Sequence, residues 1–341
     1  MGDRVAIKAR IAVGIALSIA VGAGCAHQNE NRFVALDNVA STQDEWRFER
    51  TRGFKLTTEH YDIYTTIEEP RLLTSLPQAM ETCYAYYQRL LPNVTPGGER
   101  MTVYIFAKRR EWERFTQRRF PERAPLLLQI RNGGYSLDRI AVAQYVTHAI
   151  TFPIIAHEGL HQFLELNVSN RVPAWLNEGL AVECEGQKWT MDGLREFDPW
   201  HNPARRNQLA EVLQRNEQTP LRELLRISAG HVVGGTSRGI AAYYGQVWML
   251  QRFLSAGQDG KYAAEYQRMI DAIGSQDLDA LAQAGAISGG GSISPGEGLF
   301  RAFFAEDLDT IETEYVDFMK NYALGGKRPG DDKPWWEKLG E

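Results

Sequence analysis

Residues 154–183 read IIAHEGLHQFLELNVSNRVPAWLNEGLAVE and contain His157, Glu158, Gly159, Leu160 and His161, an HExxH pattern. On a helix, four-residue spacing puts both imidazoles on one face, about one turn apart, so that a single metal ion can meet both. Glu158 lies about 100° further round the helix, where it can reach a water molecule held by that ion. Zn²⁺ takes neutral imidazole nitrogens and carboxylate oxygens tetrahedrally, and a catalytic site leaves its fourth position to water.

A third ligand must come from elsewhere. Glu165 continues the spacing from His161 but lies about 12 Å along the helix from His157, too far for a shared ion. Residues 167–173 (NVSNRVP) form a polar break that lets the chain turn back. Residues 174–183 are then expected to form a second helix alongside the first, packed through Trp175, Leu176, Leu180 and Val182. Glu178 is best placed to face the histidines, and Glu183 is the alternative. A metzincin pattern is absent, because Leu164 and Asn167 stand where Gly and His would be required.

HEGLH followed by WLNEGLA (residues 175–181) resembles the gluzincin metallopeptidases, and more closely the peptidase-MA-like domains of bacterial envelope lipoproteins. The resemblance implies a thermolysin-like α+β fold, Zn²⁺ bound by His157, His161 and Glu178, and Glu158 as general base. It also implies a polypeptide substrate, bound as an added strand along the edge strand that precedes the metal helix; residues 139–146 are expected to be that strand. No GxMEN motif precedes the helix. The other readings are a zinc-stabilised scaffold lipoprotein without turnover, and hydrolysis of a non-peptide amide.

Amide hydrolysis also needs a hydrogen-bond donor for the charge that develops on the carbonyl oxygen. Ile240, Tyr243, Val247, Leu250 and Leu254 make one helical stripe, which assigns Tyr243 to packing. Tyr244 lies off that stripe, and the same resemblance places such a tyrosine facing the metal. Tyr244 is therefore the candidate donor, with a buried packing ring as its plain alternative. His231, in the GHVVGG segment, is a second candidate for substrate contact.

The elements around these residues follow in order. Arg4, Lys8 and Arg10 precede an apolar run, residues 11–24, that ends at Cys25. The run is short for a bilayer span and suits a signal peptide. Its ending resembles a bacterial lipoprotein signal, which implies residues 1–25 as the signal, Cys25 as the lipidated residue and a site on the periplasmic face of the outer membrane. A cleaved secretory peptide and an uncleaved anchor are the other readings. Residues 26–50 are expected to be a tether, 51–325 the peptidase domain (strand-rich to 150, helical beyond), and 326–341 a tail pinned by Trp335 and Trp336. Strands are expected at 54–66 and 101–106, with helices at 70–91 and 109–120. Pro77 is expected to bend the first helix or mark its start. The charged face of the second helix, with Arg109, Arg110 and Glu113, is expected to be solvated. Asn132 belongs to a turn, and residues 286–298 (AISGGGSISPGEG) to a flexible loop.

The chain's 341 residues, 43% hydrophobic, suffice for one large core. A net charge of −5 without any long block of like charge gives no footprint for nucleic acid. Cys83 and Cys184 fall among apolar neighbours and are expected to be buried thiols, although an exported chain meets conditions in which they could pair.

Overall fold

Alternating apolar residues in the first third of the chain build a sheet whose two faces carry different work. The computed structural model describes residues 32–325 apart from 132, 192, 228–236 and 290–292. The expectations for residues 1–25 with Cys25, for Asn132 and His231, and for the tail at 326–341 therefore lie outside the described residues.

The strands are β1 (Phe33–Val34), β2 (Thr42–Phe48), β3 (Thr51–Thr57), β4 (Tyr61–Thr65), β5 (Met101–Phe106), β6 (Gly134–Leu137) and β7 (Ile140–Gln144). Six of them form a mixed sheet in the order β2-β3-β4-β5-β7-β6. The β2–β3–β4 meander is antiparallel, β4, β5 and β7 run parallel, and β6 returns antiparallel to β7. Parallel neighbours need crossovers. Helix α1 (Pro70–Leu90) supplies the first, and α2 (Arg109–Arg119) with α3 (Ala124–Leu127) lies in the second.

Leu56, Ile63, Val103 and Ala141 pair across successive strands and so share one face, where all four join the main core. The opposite face carries Phe48, Phe106, Tyr135 and Val142, which pack with Trp112 of α2 and Phe120 in a second cluster. Pro70 opens α1, where its missing N–H costs nothing. The helix runs on through Pro77 without restarting. Arg109 is not simply solvated: its guanidinium donates to the carbonyls of Leu128, Ile130 and Arg131 and to Glu113, holding the end of α3.

Beyond the sheet come α4 (His148–Asn167), α5 (Ala174–Glu183), β8 (Gln187–Thr190) and β9 (Gly193–Phe197). They are followed by α6 (Pro203–Gln214), α7 (Leu221–Arg226), α8 (Ser237–Ala256), α9 (Ala263–Ile273), α10 (Leu278–Ser288), α11 (Pro295–Phe303) and α12 (Leu308–Ala323). The chain is thus mixed α+β, strand-rich first and mainly helical later, as expected.

Four local expectations are corrected. The stretch read as a tether is folded from Phe33 on: β1 pairs with β9, and all of β2 pairs with β3. Within the helical half, β8 and β9 form a hairpin that β1 extends to a three-stranded sheet. The strand ahead of the metal helix, β7, is internal, and the edge is β6. Finally, residues 286–288 and 295–298 are helical. The glycines there serve close approach: a methyl at Gly285 would strike the Gly298 carbonyl, and one at Gly298 would strike that of Ala282. Cys83 and Cys184 are buried free thiols, with burial pushing Cys83 up to about 12.

Candidate metal centre

Helix α4 brings His157 and His161 to one face, and its position is set from behind. The Tyr87 hydroxyl of α1 donates to the Ala156 carbonyl at 2.8 Å. Gly159 faces the same tyrosine, and a methyl at that position would land on the Tyr87 oxygen. After the break at 168–173, α5 packs down through Trp175, Leu176, Leu180 and Val182, each no more than 1% exposed. Burying such side chains contributes about 1.5–3 kcal/mol apiece. Gly179 lets α5 close onto Gln251 of α8.

That packing turns Glu178 toward the histidines. Its Oε2 lies 3.2 Å from His157 Nε2 and 3.4 Å from His161 Nε2. One ligand atom from each of the three residues falls within 4.8 Å of the other two. Oε2 is buried and lacks a hydrogen bond of acceptable geometry. The far side of each ring explains why. His157 Nδ1 lies 3.0 Å from Glu185 Oε1, and His161 Nδ1 lies 2.8 Å from Asn177 Oδ1. Both partners are acceptors, so each Nδ1 carries a hydrogen and each Nε2 points inward, its lone pair available to an ion when the ring is neutral. Three lone pairs converging in a buried space call for positive charge.

Without an ion, protons on the histidines supply that charge. Burial pulls the His157 imidazole down, but Glu178 and Glu185 outweigh it and raise the ring to about 10. His161 is raised in the same way, against burial, chiefly by Glu178. Burial would raise Glu178, yet the two imidazoles hold it well below the usual carboxylate range. Glu158, half-buried at the side of the cluster, is pushed up by burial against the pull of both histidines and of the Ser136 main chain in β6.

Neither other carboxylate competes for the centre. Glu165 accepts the Arg139 N–H at 3.0 Å. Glu183 points away into a buried ion pair with Arg252. Tyr244 on α8 comes up to the site, its half-buried ring 5.6 Å from that of His157 at an interplanar angle of 72°. Tyr243 is only 3% exposed, as its place in the stripe requires, and its hydroxyl has no hydrogen-bond partner among the described residues.

Sequence reading missed the residues that hold the histidines. Asn177 stands directly before Glu178 in WLNEG. Glu185 lies seven residues after Glu178, a same-face spacing that was available as a signal. Glu185 also accepts from Asn202 Nδ2 at 2.9 Å and from Arg205 at 3.0 and 2.8 Å. Burial would raise its carboxyl, but Arg205 and His157 reverse that and hold it at about 2.

Chemically, the cluster is a two-histidine, one-carboxylate donor set of the kind that binds a divalent cation, with a second carboxylate and a phenol beside it. No family model matches the chain, and no curated protein matches it.

Proposed function

We propose that the chain is a zinc metallopeptidase of the gluzincin kind, with His157, His161 and Glu178 holding the ion. The observation that carries this reading is the Glu178 oxygen set between two inward-facing imidazole nitrogens. Ligands at about 2.0–2.2 Å in a tetrahedron stand roughly 3.3–3.5 Å from one another. The 3.2 and 3.4 Å separations of Glu178 from the two imidazoles lie close to that spacing.

Bound zinc would polarise a scissile carbonyl and make a neighbouring water easier to deprotonate. Glu158 takes the proton of the attacking water on its carboxylate and passes it to the leaving nitrogen. Tyr244 offers its hydroxyl to the carbonyl oxygen as charge develops there. An extended polypeptide adds to the free side of β6, the sheet edge whose Ser136 faces Glu158.

Among the described residues no helix is long and apolar enough to cross a membrane. In this reading a lipid on Cys25, at the end of the amino-terminal apolar run, anchors the chain at the bacterial envelope.

The test is an unbiased peptide-library digest with zinc-loaded wild type beside Glu158→Gln. Cleavage by wild type alone, with zinc retained in both, is the expected result. Full turnover by the variant would remove Glu158 from the mechanism. A zinc-loaded wild type that cleaves nothing would leave a metal-stabilised binding protein.

A further inference from the structure

Arg205 makes two contacts that belong to different parts of the centre. Its Nε and Nη2 donate to the two oxygens of Glu185 at 3.0 and 2.8 Å, and Glu185 Oε1 in turn lies 3.0 Å from His157 Nδ1. The face of the same guanidinium stacks over the Tyr244 ring, with the central carbon 4.7 Å from the ring centroid. The Tyr244 ring returns to His157. His157, Glu185, Arg205 and Tyr244 therefore close a ring of contacts drawn from α4, the turn after α5, α6 and α8.

The local fold of α6 fixes the guanidinium. Arg205 lies in the first turn, and its main-chain N–H donates at 3.1 Å to Asn202 Oδ1, the helix N-cap. The other end of the same amide, Asn202 Nδ2, donates to Glu185. Gln208, one turn on, lies 3.4 Å from the remaining nitrogen. Backbone and side chain are thus tied to one carboxylate.

A planar fork is the one cationic group that can do both tasks. Its edge matches a carboxylate through two parallel hydrogen bonds, which leaves its face free for an aromatic ring. A lysine ammonium carries the charge without the second edge contact or the flat face.

We infer that Arg205 is a positioning residue that sets two groups at once: the His157 ring, through Glu185, and the Tyr244 ring, directly. This rests on the metal reading above. It adds that ligand orientation and the tyrosine donor are coupled through one side chain that lies outside the His157, His161 and Glu178 triad.

The experiment uses the full chain as wild type, Arg205→Lys, Arg205→Gln, Glu185→Gln, Tyr244→Phe and the double variants that combine Arg205→Lys with each of the last two. Zinc affinity is measured by chelator competition, and the cobalt-loaded proteins are compared by visible spectrum and by affinity for acetohydroxamate. Melting of each metal-free protein records the fold. Arg205→Lys should weaken zinc about 10–100-fold and shift the cobalt bands. It should add no further zinc loss on top of Glu185→Gln, nor further acetohydroxamate loss on top of Tyr244→Phe. A destabilised fold alone moves the melting point without producing that pairwise non-additivity. Wild-type zinc affinity, spectrum and acetohydroxamate affinity in both Arg205 variants would overturn the inference, as would losses that simply add in both doubles. A wild type without zinc affinity would instead overturn the metal reading itself.

Discussion

Tyr87 and Gly159 meet where a side chain on the glycine would occupy the position of the tyrosine hydroxyl. The same hydroxyl donates to Ala156, so one contact on α1 fixes both the height and the depth of the helix that carries the two histidines. The glycine inside HEGLH is thus a packing requirement, separate from the chemistry around it.

Gly159→Ala should therefore destabilise the fold by about 1–3 kcal/mol, the usual cost of overpacking. In a Tyr87→Phe background the obstructing oxygen is gone and the added cost should shrink. Thermal or urea unfolding of the four proteins in this cycle measures it. Equal costs in both backgrounds would contradict the contact.

The buried pair of Glu183 and Arg252 gives a second prediction. Glu183→Gln strands an arginine that is only 4% exposed, and breaking such a pair costs about 3–5 kcal/mol. Zinc binding by the folded fraction should survive, because Glu183 points away from the histidines. Loss of zinc without loss of stability would restore Glu183 as a ligand.

The metal-free protein should depend on pH in a stated direction. His157 sits at about 10 when folded, against an ordinary value of 6.5. A raised value means the folded state holds the proton more tightly. Its contribution is complete below about 6.5 and is lost as pH climbs through 10. Glu185 runs the other way: held at about 2 against 4.5, it contributes fully above 4.5 and loses that contribution as pH falls through 2. After treatment with EDTA, the melting-point difference between wild type and His157→Gln should shrink from pH 6 to pH 10. A difference that grows over that range would contradict the assignment. With zinc the dependence inverts, since the ion needs the neutral ring.

The glycines at 285 and 298 separate two views of the region around them. In a flexible loop, Gly298→Ala would be near neutral. Where α10 and α11 touch through their backbones, it should cost about 1–3 kcal/mol, because the clash is with carbonyl groups that cannot swing aside. Urea unfolding decides between the two.

These glycines also mark where sequence reading failed. Composition does not distinguish a glycine that loosens a chain from one that lets two helices approach. The β8–β9 hairpin was missed because its strands are four and five residues long and sit inside a helical context. The place of Glu178 beside the histidines was legible because i, i+4 periodicity sets the histidine face and the polar break at 167–173 lets the chain return. Edge strand β6 was not, since which strand ends a sheet depends on pairing order. Arg205 lies 20 residues from Glu185, and only tertiary packing brings them together.

The measurement that bears most directly on the centre is zinc titration of metal-free wild type beside Glu178→Gln, read by chelator competition. One ion per wild-type chain, and a large loss of affinity in a variant that melts normally, is the predicted result. Equal affinity in the two proteins, or a wild type that takes up no zinc, would contradict the triad of His157, His161 and Glu178.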